Sequence, residues 1–345
     1  MNKRAFLEGF FTASTVAFGG LYMWRRLQPQ QPLLLTGASQ AQQTPSPTPL
    51  PPGTTPGIEP LPPAAETGFQ FTEIQIRDTQ PAKGLPRPAP AIDPVTAFNL
   101  EQLDDEEIDG YLRKIRNFDA IFPSDIYLDT RYEPLLLKTS RHLARVEAYM
   151  GHGNFNLMSF DEMLRAGSNF SQIGAFEPDE LNFLEEVFFA NPTRYGFFGK
   201  KISREITEAI PRNGVAKIAN SGHYLLKGES LNLYNQLHRD VGEDLILTSG
   251  VRSIVKQMHL FLAKTIEARG NLSRASRSLA PPGHSYHGIG DFDIGKLGFG
   301  ERNFTADFSS TEEYQTIARL GYVDIRYPTD NLFGVRFEPW HIKLG

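Results

Sequence analysis

The prolines of this chain are concentrated in one segment, and that segment limits where a folded core can lie. Sixteen of the 25 prolines fall between Pro29 and Pro94. Residues 27–96 are also rich in Gln, Thr and Ala, so they cannot bury enough apolar surface to fold and favour extended polyproline conformations. We therefore predict a disordered Pro-rich spacer over residues 27–96, which leaves roughly 250 residues for a packed core.

The N-terminal segment has the residue order of an export or anchoring signal. Lys3 and Arg4 precede a mostly apolar run over residues 6–24, which approaches the ~20 residues that a helix needs to cross a bilayer. We predict that residues 1–26 are a signal or membrane anchor and that the rest of the chain is exported, to the periplasm or another extracytoplasmic space. Arg25 and Arg26 leave the orientation open, and a buried or interfacial helix is the alternative.

Charge and cysteine content exclude several classes of protein. The formal charge of −5 gives no basic footprint, so we expect no nucleic-acid partner. The chain has no Cys, which excludes a disulfide framework, a Cys-based zinc finger, an iron–sulfur cluster and a Cys nucleophile. Any metal must therefore be held by His, Asp or Glu.

The folded part divides by its periodicity into two segments. Apolar residues recur at helical spacing over residues 100–118, 132–149 and 176–189, which predicts a helical subdomain over residues 97–204. Beyond Pro211 the pattern becomes mixed, with helices predicted over residues 230–238, 253–269 and 311–320 and strands over residues 244–249, 292–294, 322–327 and 334–344. We predict an α+β domain over residues 205–345.

The first of three chemical motifs is Ser249-Gly250-Val251-Arg252-Ser253, with Gln257 four residues further on. It places Arg252 where a predicted strand gives way to a helix. A guanidinium fork suits a carboxylate or a developing oxyanion, and a surface ion pair is the structural alternative.

The second motif, residues 281–295, is dense in potential metal ligands. It contains His284, His287, Asp291 and Asp293 among four glycines. Imidazole and carboxylate are the ligands that zinc takes when thiolates are absent, and the glycines permit a tight turn. The pattern favours a metal site over isolated structural histidines.

The third motif is Glu338-Pro339-Trp340-His341, close to the C-terminal end. Glu338 and His341 would face opposite sides of a regular strand, and Pro339 disfavours a helix. A bulge at Pro339 would bring both side chains to one face. An irregular backbone at a Glu/His pair indicates a functional site.

Together the three motifs resemble the VanY-type zinc D-alanyl-D-alanine carboxypeptidases, which are related in fold to Hedgehog-type and lysostaphin-type domains. That family's pattern is Ser-Gly-Tyr-Arg-Ser with a following Gln, then Ser-x-His-x-x-Gly-x-Ala-x-Asp-Ile, then Glu-Pro-Trp-His. The matching residues occur in the same order over roughly residues 205–345. The resemblance implies a small antiparallel sheet with flanking helices.

The resemblance also implies a role for each matching residue. The zinc ligands would be His287, Asp293 and His341, and the general base would be Glu338. Arg252 would stabilise charge on the substrate. The substrate-binding residues would be Ser285, Gln257 and Trp340. The spacing from His287 to Asp293 is one residue shorter than in the family, so Asp291 is a rival ligand. Ile342 and Lys343 replace the family's aromatic residue and Arg after the last His, which bears on substrate contacts.

The implied function is zinc-dependent hydrolysis of D-amino-acid peptide bonds in peptidoglycan stem peptides, as a D-alanyl-D-alanine carboxypeptidase. Two alternatives stay open: an endopeptidase that cuts peptidoglycan crosslinks, and a non-catalytic wall-binding module that retains a metal site. An intact Glu338 favours an enzyme, because a binding module needs no general base. The sequence assigns no role to residues 97–204.

Overall fold

The computed structural model describes residues 105–344. The predicted N-terminal anchor (residues 1–26) and the predicted Pro-rich spacer (residues 27–96) lie outside the described residues. Among the described helices, none combines the length and the apolar character that a membrane crossing requires.

The first half of the described chain is helical, as the periodicity predicts. Its five helices are α1 (Asp105–Arg116), α2 (Glu133–Met150), α3 (His152–Leu157), α4 (Phe160–Asn169) and α5 (Pro178–Phe189). A capping box begins α4: Ser159 Oγ accepts a hydrogen bond from the Glu162 backbone N–H, and the Glu162 carboxylate accepts one from Ser159 N. Gly151, at a φ of +79°, ends α2 and begins α3.

The second half is an α+β arrangement, which confirms the predicted fold class. A short antiparallel hairpin pairs β1 (Val215–Lys217) with β2 (Tyr224–Leu226). A four-stranded antiparallel sheet contains β3 (Leu245–Ser249), β4 (Phe292–Lys296), β5 (Asp324–Tyr327) and β6 (Glu338–Lys343), in the order β3-β4-β6-β5. The accompanying helices are α6 (Glu229–Val241), α7 (Ile254–Glu267), α8 (Leu272–Ser276) and α9 (Glu312–Arg319).

One predicted strand is shorter than expected. Residues 334–344 are predicted to be extended throughout, but β6 begins at Glu338. The residues before it leave the sheet, since the Arg336 backbone N–H donates to Arg277 O rather than to a neighbouring strand. The pairing of β6 with β5 also shifts register between Glu338 and Ile342, which agrees with the predicted irregularity at Pro339.

The helical segment and the α+β segment share one apolar core. Phe155, Phe188 and Phe197 from the helical side pack in the same buried cluster as Val255 and Phe261 of α7. A second cluster lies within the α+β segment and includes residues of the sheet and of α6 and α9. The predicted boundary between residues 204 and 205 therefore crosses a continuous core, and whether the two segments are separate domains stays a prediction.

Candidate metal centre and active-site cleft

Sheet register brings the predicted ligands together. His341 on β6 is directly opposite Asp293 on β4, so their side chains share one face of the sheet. His287 comes from a short 3-10 turn, Tyr286–Gly288, that precedes β4. The three side chains are buried, and one ligand atom of each lies within 4.8 Å of the others. The structure thus gathers His287, Asp293 and His341 into one cluster.

Each histidine of this cluster is oriented by a second partner behind it. His287 Nδ1 lies 2.9 Å from Gly250 O, and its Nε2 lies 3.3 Å from Asp293 Oδ2. His341 Nε2 lies 3.1 Å from Asp291 Oδ2, and its Nδ1 lies 3.3 Å from Asp293 Oδ1. In the neutral imidazole, an N–H donated to the outer acceptor leaves the other ring nitrogen with a lone pair that faces the cluster, as in histidine ligands of metals.

Asp291, the rival ligand, lies behind the cluster instead of in it. Its carboxylate is fully buried and accepts from Arg326 Nε at 2.7 Å and Nη2 at 2.9 Å, and from the Leu344 backbone N–H at 2.9 Å. Burial opposes ionisation, but the hydrogen bonds from His341 and Arg326 hold the pKa of Asp291 below its ordinary value. Asp291 therefore orients His341, and Asp293 faces the cluster.

The cluster has the unsatisfied acceptor that a cation would need. Asp293 Oδ1 is buried and accepts no hydrogen bond within the described part of the chain. Burial raises the pKa of Asp293, but the adjacent His287, His341 and Arg252 outweigh burial and lower this pKa to about 2. Burial lowers the pKa of His341, but Asp291 and Asp293 outweigh this and raise it to about 9. Two imidazoles and a carboxylate form a ligand set that zinc takes in catalytic sites, so these residues fit zinc.

The predicted base and the predicted arginine border the same cluster. Glu338 Oε2 lies 3.4 Å from His341 Nδ1, because the irregularity in β6 places both on one face. Arg252 Nη2 lies 3.6 Å from Asp293 Oδ2. The guanidinium is fixed by Ser249, whose Oγ accepts from Nη2 at 2.9 Å, and by Gln257, whose Oε1 accepts from Nη1 at 3.1 Å.

The three predicted substrate-binding residues have different surroundings. Ser285 lines the cleft at the cluster. Gln257 is only 2% exposed, and its amide is used by Arg252 and by Ala280 O, so the structure gives it a role in holding Arg252. Trp340 is buried in the core beneath the sheet, with one part of its surface at the cleft.

The cluster opens into a cleft of about 330 Å³. One wall comes from the segment that the motifs do not cover, through His152 and Asn156 of α3 and His223 before β2. Sequence analysis missed these residues because they lie far from the motifs along the chain. It also missed Arg336, two residues before the third motif, and Arg326, which lies in a predicted strand 35 residues from Asp291.

A family model described as VanY, D-alanyl-D-alanine carboxypeptidase, matches residues 227–344. This segment is VanY-like. The match confirms the resemblance drawn from the three motifs, all of which fall within it. It does not extend to residues 105–226, which supply the helical segment and one wall of the cleft. No curated protein sequence matches the chain.

Solved structures similar to part of the chain include an LD-carboxypeptidase and a D,D-pentapeptidase. The LdcB LD-carboxypeptidase is 25% identical over 37% of this chain, with a TM-score of 0.30, and the match spans 62% of LdcB. A mutant of the D,D-pentapeptidase VanY from a VanB-type resistance cassette, in complex with Zn(II), is 25% identical over 41% of this chain and 84% of its own, with a TM-score of 0.31. VanYB in complex with D-alanine-D-alanine is 26% identical over 37% of this chain and 75% of its own, again with a TM-score of 0.31.

Proposed function

We propose that the protein is a zinc metallopeptidase that hydrolyses D-amino-acid peptide bonds in peptidoglycan stem peptides, as a D-alanyl-D-alanine carboxypeptidase. The observation that carries this proposal is the buried cluster of His287, Asp293 and His341 with Glu338 at its edge, inside the VanY-like segment. The match to the VanY family model supports the choice of substrate, and the ligand set of two imidazoles and one carboxylate supports the choice of zinc.

The cluster residues would hold zinc, which when bound supplies a Lewis acid and a water of lowered pKa. Glu338 is placed to accept the proton of the attacking water and to pass it to the leaving amine. Arg252, held in a fixed orientation by Ser249 and Gln257, donates hydrogen bonds to the oxyanion that develops on the scissile carbonyl. Asp291 and Gly250 O hold the two imidazoles in the tautomers that the site requires.

Zinc content and product analysis of the full-length protein test the proposal. Purified protein should contain about one zinc per chain, as three protein ligands imply. It should release D-alanine from a stem pentapeptide. Glu338→Gln should keep the metal and lose about 10²–10⁴-fold in turnover, the scale of a general base.

The possible outcomes separate the alternatives. Cleavage of a crosslinked dimer peptide without release of terminal D-alanine would identify a crosslink endopeptidase. Metal and peptide binding without turnover would identify a wall-binding module. Near-normal turnover of Glu338→Gln would remove that residue from the mechanism.

For localisation, we propose export, with residues 1–26 and the spacer over residues 27–96 tethering the catalytic segment outside the cytoplasmic membrane. The support is the order of basic, apolar and Pro-rich segments in the sequence. Protease added to spheroplasts should digest the catalytic segment, and protection until lysis would mean the opposite orientation.

A further inference from the structure

Arg336 lies beside the proposed base and is held there by two aromatic rings. Its guanidinium carbon is 5.0 Å from the centre of the Trp340 ring and 4.5 Å from that of Phe118. Its Nε is 3.9 Å from Glu338 Oε1. Stacking between aromatic faces restrains the plane of a guanidinium and leaves its edge free to donate hydrogen bonds.

The donors of Arg336 are only partly used. Nη2 donates to Phe304 O at 3.0 Å, whereas Nε is buried and donates to no acceptor among residues 105–344. The 3.9 Å to Glu338 is too long for a hydrogen bond. A guanidinium has five N–H donors, of which the described residues accept one, and Arg336 lines the cleft, so an anionic group bound in the cleft would be favoured at this point.

The other two Lys or Arg side chains that line the described cleft already have a protein partner or an assigned role. Lys256 Nζ lies 2.7 Å from Glu147 Oε1, which gives it a carboxylate of its own. Arg252 donates from both terminal nitrogens, to Gln257 and Ser249. Lys256 is therefore paired with a carboxylate and Arg252 is assigned to the oxyanion, which leaves Arg336 as the one of these three cations with neither a carboxylate in hydrogen-bond distance nor an assigned role.

The position of Arg336 beside Glu338 indicates which anionic group it would contact. If the proposed function holds, Glu338 delivers a proton to the amine of the released amino acid. In a free amino acid the α-carboxylate carbon is only about 2.5 Å from that amine nitrogen, as two covalent bonds dictate. The carboxylate of the leaving residue must therefore lie near the base, where Arg336 stands.

We propose that Arg336 binds the free α-carboxylate of the C-terminal residue and so restricts the enzyme to removing terminal residues. This inference rests on the proposed function and deepens it. An endopeptidase substrate carries a neutral amide at that position and would leave Arg336 without an anionic partner. Phe118 lies outside the VanY-like segment, so the helical half of the chain contributes to this recognition.

A binding measurement that does not depend on turnover tests the inference. Two peptides that end in D-Ala-D-Ala, one a free acid and one a C-terminal amide, are titrated calorimetrically into full-length Glu338→Gln protein. The free acid should bind about 10–100-fold more tightly, the scale of a charge-assisted hydrogen bond. Adding Arg336→Gln should reduce the affinity for the acid to that for the amide and leave the affinity for the amide unchanged.

Arg302→Gln is the matched control. Arg302 also stacks on an aromatic ring, with its guanidinium carbon 4.3 Å from the centre of Phe299, and pairs with Asp307 outside the cleft. This substitution should leave both affinities unchanged. Arg336→Lys keeps the charge without the planar fork, so it should retain part of the preference for the acid, and it carries the test if Arg336→Gln does not fold.

Two results would overturn the inference: a preference for the acid that survives Arg336→Gln, or an equal loss of affinity for acid and amide. Hydrolysis by the parent protein is scored separately. If the parent binds the acid through Arg336 but cleaves neither peptide, the proposed function fails and the carboxylate site stands. If the parent protein cleaves the peptides but the Arg336→Gln variant prefers the acid over the amide as strongly as the parent does, only the carboxylate-site inference fails.

Discussion

Asp291 and Asp293 are two residues apart on the chain, and replacing each by Asn should affect stability and metal binding to different degrees. Asp291 forms a buried ion pair with Arg326, at 2.7 and 2.9 Å, and holds His341 from behind. Asp293 faces the cluster with one oxygen that accepts no hydrogen bond from the described residues. Asn is nearly the same size as Asp, so the comparison isolates the charge.

The structure sets the expected magnitudes. Asp291→Asn leaves Arg326 charged and buried without its partner, and breaking such a pair costs about 3–5 kcal/mol. For a domain of this size that corresponds to a fall in Tm of roughly 6–20 °C. Loss of a partner behind a histidine ligand weakens metal affinity about 10–100-fold without abolishing it.

Asp293→Asn should instead affect metal binding more than stability. It removes a ligand and a buried negative charge that lies 3.3 Å from His287 Nε2 and from His341 Nδ1, and 3.6 Å from Arg252 Nη2. Zinc binding should be lost, while the metal-free protein should lose less stability than Asp291→Asn does, because these contacts are longer than the ion pair of Asp291. Zinc titration and thermal unfolding of both variants, with and without chelator, measure the two quantities. If Asp291→Asn lost zinc while keeping the parent Tm, Asp291 would be the ligand and our assignment would be wrong.

Three further predictions concern the surroundings of the cluster. Arg252→Lys should lower kcat by about 10²–10³-fold with little change in KM, because Lys cannot reproduce the two donors aimed at the oxyanion; equal kcat values would exclude this role. Gly250→Ala would place a Cβ 2.0 Å from Tyr224 O, so it should cost about 1–3 kcal/mol in unfolding free energy and weaken zinc binding, which titration and denaturation would detect. Burial lowers the pKa of His284 to about 4, so the unfolded chain takes up a proton at this residue before the folded chain does as the pH falls from 6.5 to 4. The free energy of unfolding should therefore drop by about 3 kcal/mol over this range. His284→Gln should make the free energy of unfolding less dependent on pH between 6.5 and 4, and an unchanged dependence would contradict the assignment.

The sequence predicts the site well where the reactive side chains lie within a few residues of one another and the local backbone pattern is unusual. The three motifs predict the members of the cluster because each places its side chains within a few residues. The conflict between Pro339 and the Glu338–His341 spacing predicts a backbone irregularity, and β6 has a register shift there. The α+β class follows from the change of periodicity after Pro211, where apolar runs shorten to strand length.

Other features depend on contacts that are distant in sequence, and no local pattern encodes them. Arg326 lies 35 residues after Asp291 and forms an ion pair with its carboxylate, which leaves Asp293 to face the cluster. The wall formed by His152 and His223 exists because α3 packs against α7 and Asn156 Nδ2 lies 3.2 Å from His223 Nδ1. The β1–β2 hairpin was missed because its strands have only three residues each, too few to show an alternating pattern.

The continuous core leads to a last prediction, that residues 205–345 will not fold alone. On α7, the side chains of Val255, Met258, Phe261 and Leu262 are at most 2% exposed, and the cluster that covers them includes residues of α2 to α5. Exposing four such side chains costs about 6–12 kcal/mol as an upper estimate, at 1.5–3 kcal/mol each. That is comparable with the whole stability of a typical domain, about 5–15 kcal/mol.

The truncated chain should therefore lack a cooperative unfolding transition in circular dichroism, whereas residues 97–345 should show one. A cooperative transition and zinc binding in residues 205–345 would contradict this reasoning and would support the two separate domains that the sequence predicts. The VanY-like segment has the whole set of proposed catalytic residues, so the truncation tests only whether the preceding helices are required for folding. We expect that they are, because they complete the core that covers α7. Gln257 lies on α7 and orients Arg252, so the orientation of Arg252 depends on the same core.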